Sequence, residues 1–256
     1  MKDFGGRIAV VTGGGTGMGR ELVRQLAAEG CHVAMCDVSA DNMAESRTLA
    51  LEKAPAGTRV TTTVADVADE RQLEAFRDAV IREHATDYVN LVVNNAGIGA
   101  GGSFIRDTRE DWERTFGVCW YGVYYGSRVF MPLLLKSTEG HLVNTSSVNG
   151  FWASLGPQTA HTAYSAAKFA VKGFAEALVN DCRLNAPHVK VSLVMPGHIG
   201  TSIVINTARI MGREPQNLSS EQLEDTRKMI ARMGFEVGAV PDDMLPWLAT
   251  WLGLGI

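Results

Sequence analysis

Six short apolar runs rich in β-branched residues alternate along this 256-residue chain with longer segments of helical periodicity. The runs occupy residues 7–12, 32–37, 59–66, 88–97, 141–147 and 190–197. Each intervening segment is long enough for a crossover helix, and strands connected in that way lie parallel. The alternation therefore predicts an α/β fold, namely a Rossmann-type doubly wound parallel sheet in a three-layer αβα arrangement, forming a single domain over residues 1–256.

The segments between the runs carry apolar residues at helical spacing. We predict helices directly after the first strand and over residues 40–53, 70–84, 111–135 and 163–185. Asp69 immediately precedes one of these segments and is typical of a helix N-cap. Residues 241–256 contain no convincing strand, so the sequence does not predict a seventh strand.

Composition argues against several classes of function. The formal net charge is -4 and no basic block is present, so we expect no nucleic-acid partner. The four cysteines form no CxxC pair and no cluster with zinc spacing, so we expect no metal site and a reducing compartment. No apolar stretch approaches the roughly 20 residues that span a bilayer, and the first residues do not resemble a signal peptide. We therefore expect a cytoplasmic protein that does not enter a membrane.

The stretch "TGGGTGMGR" between the first strand and the first helix contains five glycines in nine residues. It is either a tight strand–helix turn or a cradle in which the backbone approaches a ligand closely. The helix N-terminus that follows would offer N–H groups and a positive dipole end to a pyrophosphate. We expect Arg20, one turn into the helix, to be a solvated helix residue. The predicted cofactor-binding loop consists of Thr12, Gly13, Gly15, Thr16, Gly17, Met18 and Gly19.

Asp37 ends the second strand, 18 residues after Gly19. An acidic residue at this position can accept hydrogen bonds from both hydroxyls of an adenosine ribose, and it repels a 2′-phosphate. No basic residue follows it in "DVSADN", and Thr16 in the glycine stretch is also uncharged. These residues favour NAD over NADP as the cofactor, although an aspartate at a strand end can also cap a helix.

Tyr164 and Lys168 stand four residues apart in the helical stretch "AYSAAKFAVKG". That spacing places both side chains on one helix face. A lysine ammonium near a phenol favours the phenolate, and such a tyrosine can act as a general acid or base on an alcohol or carbonyl. A tyrosine–lysine pair at this spacing is also common on ordinary helix surfaces, so the pair alone does not define a site.

The ensemble of motifs resembles the short-chain dehydrogenase/reductase family. The matching elements occur in the family's order and span about 190 residues. They are "TGGGTGMG" (12–19), "D" (37), "ADV" (65–67), "NNAG" (94–97), "NTSSVNG" (144–150), "YSAAK" (164–168) and "PGHIGT" (196–201). The resemblance implies a Rossmann-type fold, a nicotinamide cofactor and hydride transfer on an alcohol/ketone couple.

The resemblance also implies roles for individual residues. Tyr164 matches the family's catalytic acid/base, Lys168 matches the residue that supports it and binds nicotinamide ribose, and Ser147 matches the residue that hydrogen-bonds the substrate oxygen. It further implies a substrate lid at about 200–235. The other implied cofactor contacts are Val38, Asp66, Val67, Asn94, Ala96, Gly97, Pro196, Gly197, Ile199 and Thr201.

Three features depart from the family pattern. Cys119 stands where the family often has an asparagine that helps hold a water near the lysine. We interpret Cys119 itself as an inert buried thiol, although its presence could change the proton relay. The interval between Ser147 and Tyr164 is longer than usual, and the family's glycine-rich C-terminal signature is not recognisable, which leaves the usual tetramer interface open.

Bulky side chains would line the substrate pocket. The candidates beside Ser147 are Phe151, Trp152, Met195 and His198, with Leu155 nearby. Apolar walls favour a small hydrophobic substrate such as a steroid, terpenoid or other cyclic alcohol. Phe151 and Trp152 could instead pack into a dimer contact, and His198 could serve only its own loop.

The aromatic stretch "CWYGVYYGSRVF" (119–130) predicts a partner surface, because a helix that covers a sheet with one face keeps its other face exposed. We therefore expect a homodimer or homotetramer. The leading function is an NAD-dependent alcohol dehydrogenase or ketone reductase. An NADPH-dependent ketone reductase and a non-catalytic NAD-binding sensor or scaffold remain open alternatives.

Overall fold

The computed structural model describes residues 1–100, 102–153, 160–197, 201–212, 219–232 and 245–246. The chain divides into two compact units. The first comprises Met1–Gly97 and Gly101–Thr201, and the second comprises Ile98–Ala100 and Ser202–Ile256. The proposed lid over residues 200–235 falls almost entirely in the second unit, and its function as a lid stays a prediction, as does the single-domain organisation.

The first unit contains a six-stranded, wholly parallel sheet with the strand order β3-β2-β1-β4-β5-β6. The order reverses between β1 and β4, which is the position where doubly wound sheets open a crevice at the carboxyl ends of their strands. The α/β Rossmann-type architecture is therefore confirmed. The strands are β1 (Ile8–Thr12), β2 (His32–Asp37), β3 (Val60–Val64), β4 (Leu91–Asn94), β5 (Gly140–Thr145) and β6 (Val189–Val194).

Burial along the strands follows their position in the sheet. Every residue of β1 is buried, as expected for a central parallel strand covered on both faces. In β3, at one edge of the sheet, burial alternates instead. In register, Val10 of β1 lies between Ala34 of β2 and Val92 of β4, so small and β-branched side chains fill the middle of the sheet.

The helices of the first unit form two layers. α1 packs beside α2. α3 packs beside α5, and α6 packs against α4 and the helical segment that follows α4. The described helices of this unit are α1 (Gly17–Ala28), α2 (Ala40–Leu51), α3 (Glu70–His84), α4 (Arg109–Phe116), α5 (Gly122–Leu135) and α6 (Thr162–Asn185).

Two local predictions about helices have different outcomes. Asp69 is the N-cap of α3, since its carboxylate accepts a hydrogen bond from the backbone N–H of Arg71. The long helical region predicted over about 111–135 is also present, but it is not a single α-helix, because the π-helical segment Gly117–Tyr121 separates α4 from α5. Such a segment adds a residue to one turn and shifts the helix face that follows it, and it often occurs at functional sites.

The second unit contains α7 (Ile203–Ile210) and α8 (Ser220–Arg232). Gly99 donates its backbone N–H to the hydroxyl of Thr207 at 2.8 Å, which ties the short segment Ile98–Ala100 to α7. Of the tail over 236–256, only Leu245 and Pro246 fall within the described residues.

Candidate active site

The glycine stretch forms a rigid turn between β1 and α1. Gly13 and Gly17 adopt positive φ angles of 67° and 53°, which side chains rarely tolerate. A Cβ on Gly14 would lie 2.6 Å from the Cβ of Met35, and one on Gly19 would overlap the carbonyl oxygen of Gly13. The stretch is therefore a close-packed turn and not a flexible linker.

The N-terminus of α1 has the features that an anionic ligand requires. The helix has 12 residues, and no acidic side chain lies in its described first turn. Thr16 takes the N-cap position with extended backbone, and Thr16 and Met18 are half-buried on either side of Gly17. Because the first N–H groups of an α-helix have no carbonyl partner within the helix, the N-terminus of α1 fits the pyrophosphate of a dinucleotide.

Asp37 joins the glycine turn to the end of β2. Its carboxylate accepts hydrogen bonds from the backbone N–H groups of Gly15 at 3.0 Å and Ser39 at 3.1 Å. A carboxylate has about four lone-pair sites, so both oxygens can still accept ribose hydroxyls. Val38, the next residue, is exposed at the same edge.

Arg20 is not a solvated helix residue, and that prediction is wrong. Its guanidinium donates to the carbonyl oxygen of Gly15, to the hydroxyl of Ser46 and to the carboxylate of Glu45. No local sequence pattern indicates these contacts, because they depend on where α2 packs beside α1.

Asp66 and Val67 follow β3 at the proposed adenine end. The carboxylate of Asp66 accepts from the backbone N–H of Ala68 at 3.0 Å and forms an ion pair with Arg114 of α4. Val67 is buried against α5, where a Cβ on Gly122 would lie 2.7 Å from its side chain. Arg114 is a residue that the sequence analysis missed, and it orients the aspartate.

The segment after β4 connects to the glycine turn through Asn95, which the sequence analysis did not select. Its backbone N–H and that of Ala96 donate to the hydroxyl of Thr12 at 3.0 Å and 3.1 Å. Its side-chain amide donates to the carbonyl oxygens of Thr12 and Gly13. Asn95 therefore holds the two sides of the crevice between β1 and β4 together.

The side chain of Asn94 is buried and forms its hydrogen bonds inside the protein. It donates to the side-chain oxygen of Asn144 at 2.8 Å and to the hydroxyl of Ser127 at 3.0 Å. Any contact of Asn94 with a cofactor would therefore come from its main chain. Gly97 lies closer to the proposed catalytic residues, since a Cβ on it would be 3.7 Å from the Nζ of Lys168.

Tyr164 and Lys168 lie on one face of α6, and the Nζ of Lys168 is 5.5 Å from the centre of the Tyr164 ring. Lys168 is only 3% exposed. Its Nζ donates a hydrogen bond of 2.9 Å to the carbonyl oxygen of Thr145, the last residue of β5. The ring of His161 meets the Tyr164 ring edge-on, with 5.6 Å between the ring centres. The two predicted residues are therefore brought together, with the lysine held in place by the sheet.

Ser147 follows β5 and caps the 3-10 turn Val148–Gly150. It is 7% exposed, its hydroxyl oxygen accepts the backbone N–H of Asn149 at 3.2 Å, and its hydroxyl donates to the side-chain oxygen of Asn149 at 3.4 Å. Asn149 is itself buried, and its side-chain NH₂ finds no acceptor among the described residues. The sequence analysis missed Asn149, which lies within the quoted motif "NTSSVNG".

Cys119 is a fully buried thiol in the π-helical segment. A Cβ on Gly97 would lie 3.9 Å from its sulfur and 3.7 Å from the Nζ of Lys168, so the thiol and the ammonium flank the same glycine. The predicted burial of Cys119 is therefore confirmed, and its position beside the lysine is that expected from the resemblance.

The predicted substrate residues differ in their surroundings. Phe151 and Trp152 are 69% and 67% exposed, and Met195 is half-buried after β6. His198 lies outside the described residues, as does Leu155. Two further exposed apolar side chains, Phe104 and Ile105, follow β4 and were not selected from the sequence.

The segment after β6 contains the proposed nicotinamide contacts. The carbonyl oxygen of Pro196 accepts the backbone N–H of Val148 at 3.0 Å, and Gly197 is exposed. Thr201 lies beside the glycine turn, since a Cβ on Gly17 would be 3.2 Å from its Cβ. Ile199 belongs to the part of the chain that the structure does not describe.

Within the described part of the chain, no group of three or more His, Cys, Asp or Glu side chains could hold a metal ion. In the same residues, no helix is long and apolar enough to span a membrane. The cytoplasmic location stays a prediction.

Comparison with known proteins supports the class that this fold and these side chains define. The family model for short chain dehydrogenases matches residues 7–210. The SadH protein of Mycobacterium tuberculosis is 37% identical over 219 residues, which cover 86% of this chain and 76% of SadH. Levodione reductase of Leifsonia aquatica is 32% identical over 221 residues, which cover 86% of this chain and 79% of the reductase.

Comparison with a solved structure supports the same class of protein. The short-chain dehydrogenase/reductase of Burkholderia phymatum, in complex with NAD, is 30% identical and superposes with a TM-score of 0.76. The match covers 96% of this chain and 85% of that one. The chain belongs to the short-chain dehydrogenase/reductase family and is an oxidoreductase of that type.

Proposed function

We propose that this oxidoreductase transfers a hydride between NAD and a secondary alcohol or ketone. The observation that carries the proposal is the buried Lys168 ammonium 5.5 Å from the ring centre of Tyr164. This geometry sets a hydroxyl that can exchange a proton with a substrate oxygen beside a fixed positive charge. Ser147, at the end of the neighbouring strand, supplies a hydroxyl for the same oxygen.

The residues would divide the chemistry as follows. Bound nicotinamide would supply the site that accepts or gives the hydride. In the oxidative direction the Tyr164 oxygen takes the proton of the substrate hydroxyl, and in the reductive direction it returns a proton to the carbonyl oxygen. With substrate bound, the Ser147 hydroxyl would donate to that oxygen in place of its long 3.4 Å hydrogen bond to Asn149, and would stabilise its negative charge. Lys168 uses one donor on Thr145 and keeps two for the phenolate and for ribose hydroxyls.

The arrangement of the cofactor end supports NAD over NADP. Asp37 lies beside Gly15 at the end of β2, where the carboxylate would meet the ribose. A 2′-phosphate placed there would face a like charge at short range. The main chain of the glycine turn would hold the pyrophosphate, Asp66 and Val67 would line the adenine end, and Ala96 and Gly97 would contact the adenosine. Pro196, Gly197, Ile199 and Thr201 would hold the nicotinamide.

We propose a hydrophobic substrate, such as a steroid, terpenoid or other cyclic alcohol or ketone. Support comes from the exposed rings of Phe151 and Trp152, which follow the 3-10 turn that Ser147 caps. Exposed apolar side chains clustered beside reactive groups are typical of a binding surface. The relative from Leifsonia is by name a reductase of a dione, which agrees with carbonyl chemistry in this family.

One experiment tests activity, cofactor and substrate class together. A panel of secondary alcohols and ketones would be assayed with NAD(H) and with NADP(H), following absorbance of the reduced nicotinamide. We expect turnover with NAD(H) and preference for apolar cyclic substrates. Turnover restricted to NADPH would favour the ketone-reductase alternative. Dinucleotide binding without turnover on any substrate would favour a sensor or scaffold.

We further propose that the protein is at least a homodimer. Tyr121 at the end of the π-helical segment and Phe169 of α6 are both more than two-fifths exposed, and Leu184 near the end of α6 is 82% exposed. Apolar side chains exposed along helices favour a second copy as partner. A monomeric mass by light scattering at micromolar concentration would contradict this proposal.

A further inference from the structure

We infer that Arg20 is a positioning residue that sets the affinity and selectivity of the cofactor loop by fixing the carbonyl group of Gly15. The inference rests on the proposed NAD-linked function. Arg20 lies on α1 and is about one-fifth exposed, so its guanidinium is held inside the protein and does not extend into solvent. Its partners lie on the glycine turn and on α2.

The carbonyl oxygen of Gly15 accepts as many hydrogen bonds as it can. Its oxygen accepts from the Nε of Arg20 at 3.0 Å, from the Nη2 of Arg20 at 2.8 Å and from the hydroxyl of Ser46 at 2.8 Å. A carbonyl oxygen has two lone pairs, so three donors leave it no further acceptor capacity. The paired donors of one planar guanidinium also fix the direction in which this carbonyl points.

The N–H side of Gly15 is fixed as well. It donates to Asp37 at 3.0 Å, and the close approach depends on glycine, since a Cβ here would lie 2.8 Å from the same carboxylate oxygen. The orientation of the Asp37 carboxylate is therefore coupled to Arg20 through a single residue, because Asp37 and Arg20 hold the N–H and the C=O on the two sides of the Gly15 Cα. This is the carboxylate that we propose to recognise the ribose.

The guanidinium is itself anchored on α2. Its Nη2 donates to the carboxylate of Glu45 at 2.7 Å, and its Nε reaches the hydroxyl of Ser46 at 2.9 Å. A lysine could replace the charge but not the planar set of donors that serves the carbonyl, the hydroxyl and the carboxylate together. The identity of the residue as arginine therefore matters in this arrangement.

Removal of Arg20 should change the affinities for NAD and NADP in a pattern that the loss of a positive charge alone would not produce. When the Gly15 carbonyl is released, the main chain of Gly15 can rotate about its Cα, so Asp37 loses a fixed partner and holds the NAD ribose less well. The same release lets the carboxylate turn away from a 2′-phosphate, so NADP should be weakened less than NAD. If Arg20 acted only through its positive charge, its removal would instead weaken NADP more, because NADP carries the additional phosphate.

The test is the dissociation constants of NAD and NADP, measured by titration calorimetry on the full chain. The variants are R20Q and R20K, and the matched control is R24Q, because Arg24 lies on the same helix and, within the described residues, forms its ion pair with Glu21. We expect both Arg20 variants to weaken NAD about tenfold, the effect of losing one charged hydrogen-bond set, and NADP by a smaller factor. The control should change neither constant by more than about twofold.

The outcomes separate cleanly. The inference is overturned if R20Q and R20K bind NAD as the wild type does, if both dinucleotides weaken equally, or if NADP weakens more. If the wild type binds neither dinucleotide, the proposed function is wrong, and the inference, which rests on it, is wrong as well. If the Arg20 variants do not fold by circular dichroism, S46A carries the same test, since it removes one donor from Gly15 and should lower the preference for NAD in the same direction by a smaller factor.

Discussion

The two ends of the proposed site are built in different ways. At the cofactor end, main-chain groups of the glycine turn are bound by Asp37, Arg20 and Asn95, and glycines permit contacts that no other residue would allow. At the substrate end, Phe151 and Trp152 present most of their surface to solvent. The first end is determined by backbone geometry that tolerates little change. The second consists of surface side chains, which can vary without disturbing the fold.

The largest effect is expected where the two ends meet, at Tyr164. Y164F removes the hydroxyl that exchanges the proton, so turnover should fall by about 10³-fold, while NAD affinity should stay within about twofold. Steady-state kinetics and calorimetry measure the two quantities. Y88F offers a control at a half-exposed tyrosine outside the site. Near-normal turnover of Y164F would refute the role of Tyr164 and with it the proposed division between the two ends.

A pair of helical glycines tests the rigidity of the cofactor end. A Cβ on Gly19 would overlap the Gly13 carbonyl oxygen, whereas one on Gly173 in α6 would meet nothing within 4 Å. We expect G19A to weaken NAD binding by about 100-fold or more, because the turn must shift to admit the methyl group. We expect G173A to leave binding unchanged and to stabilise the fold by up to about 1 kcal/mol. Wild-type affinity in G19A would show that the turn is not rigid.

Acid sensitivity should reside in neither end. His84 at the end of α3 is buried against Thr61 near the start of β3, away from the carboxyl ends of the strands. Burial, followed by the charges of Arg59 and His32, lowers the pKa of His84 from 6.5 to about 4. The folded state keeps His84 neutral while the unfolded chain takes up a proton below pH 6.5, so stability falls with pH in that window. At pH 5 the loss is on the order of 2 kcal/mol relative to pH 7.

Urea unfolding at pH 7 and pH 5 measures this loss, and H84Q should reduce it. NAD affinity should not follow the same curve while the protein remains folded, since no contact of His84 reaches the glycine turn among those described. A pH dependence of unfolding that is identical in H84Q and the wild type would exclude His84 as its source.

The smallest effects belong to the substrate end. F151A and W152A should raise KM for an apolar substrate by up to about tenfold, the range expected for losing one partly buried aromatic contact. Unfolding free energy should move by no more than about 0.5 kcal/mol, as at other surface positions. V64A on β3 is the matched control, since Val64 is also well exposed. A change in NAD affinity in either variant would contradict the division, because it would show that these side chains also affect cofactor binding.

Much of the fold follows from local patterns, and the reasons are visible in particular elements. The buried run of β1 and the cap at Asp69 are read directly from apolar runs and from capping chemistry. The stretch 88–97 was predicted to contain a strand, and β4 occupies Leu91–Asn94 within it, because the polar residues after Asn94 bind the glycine turn. The π-helical segment could not be predicted, since its residues fit a continuous helical period.

The same distinction holds for the candidate site: local spacing predicts some contacts, but not those between segments that are distant in the chain. The proximity of Tyr164 and Lys168 follows from their spacing on one helix. The contacts of Arg20 with Glu45 and of Arg114 with Asp66 bridge 25 and 48 residues of chain. They depend on how helices pack against the sheet, which no local pattern in a single sequence encodes.

The hydroxyl of Thr12 has a thermodynamic consequence. It accepts two amides from the segment after β4, so the ends of β1 and β4 are fastened together across the crevice before any dinucleotide arrives. A loop that must be ordered on binding loses conformational entropy and thereby weakens affinity. Here that entropy is lost during folding, so the binding of a dinucleotide should be accompanied by little rearrangement of the main chain on this side of the crevice.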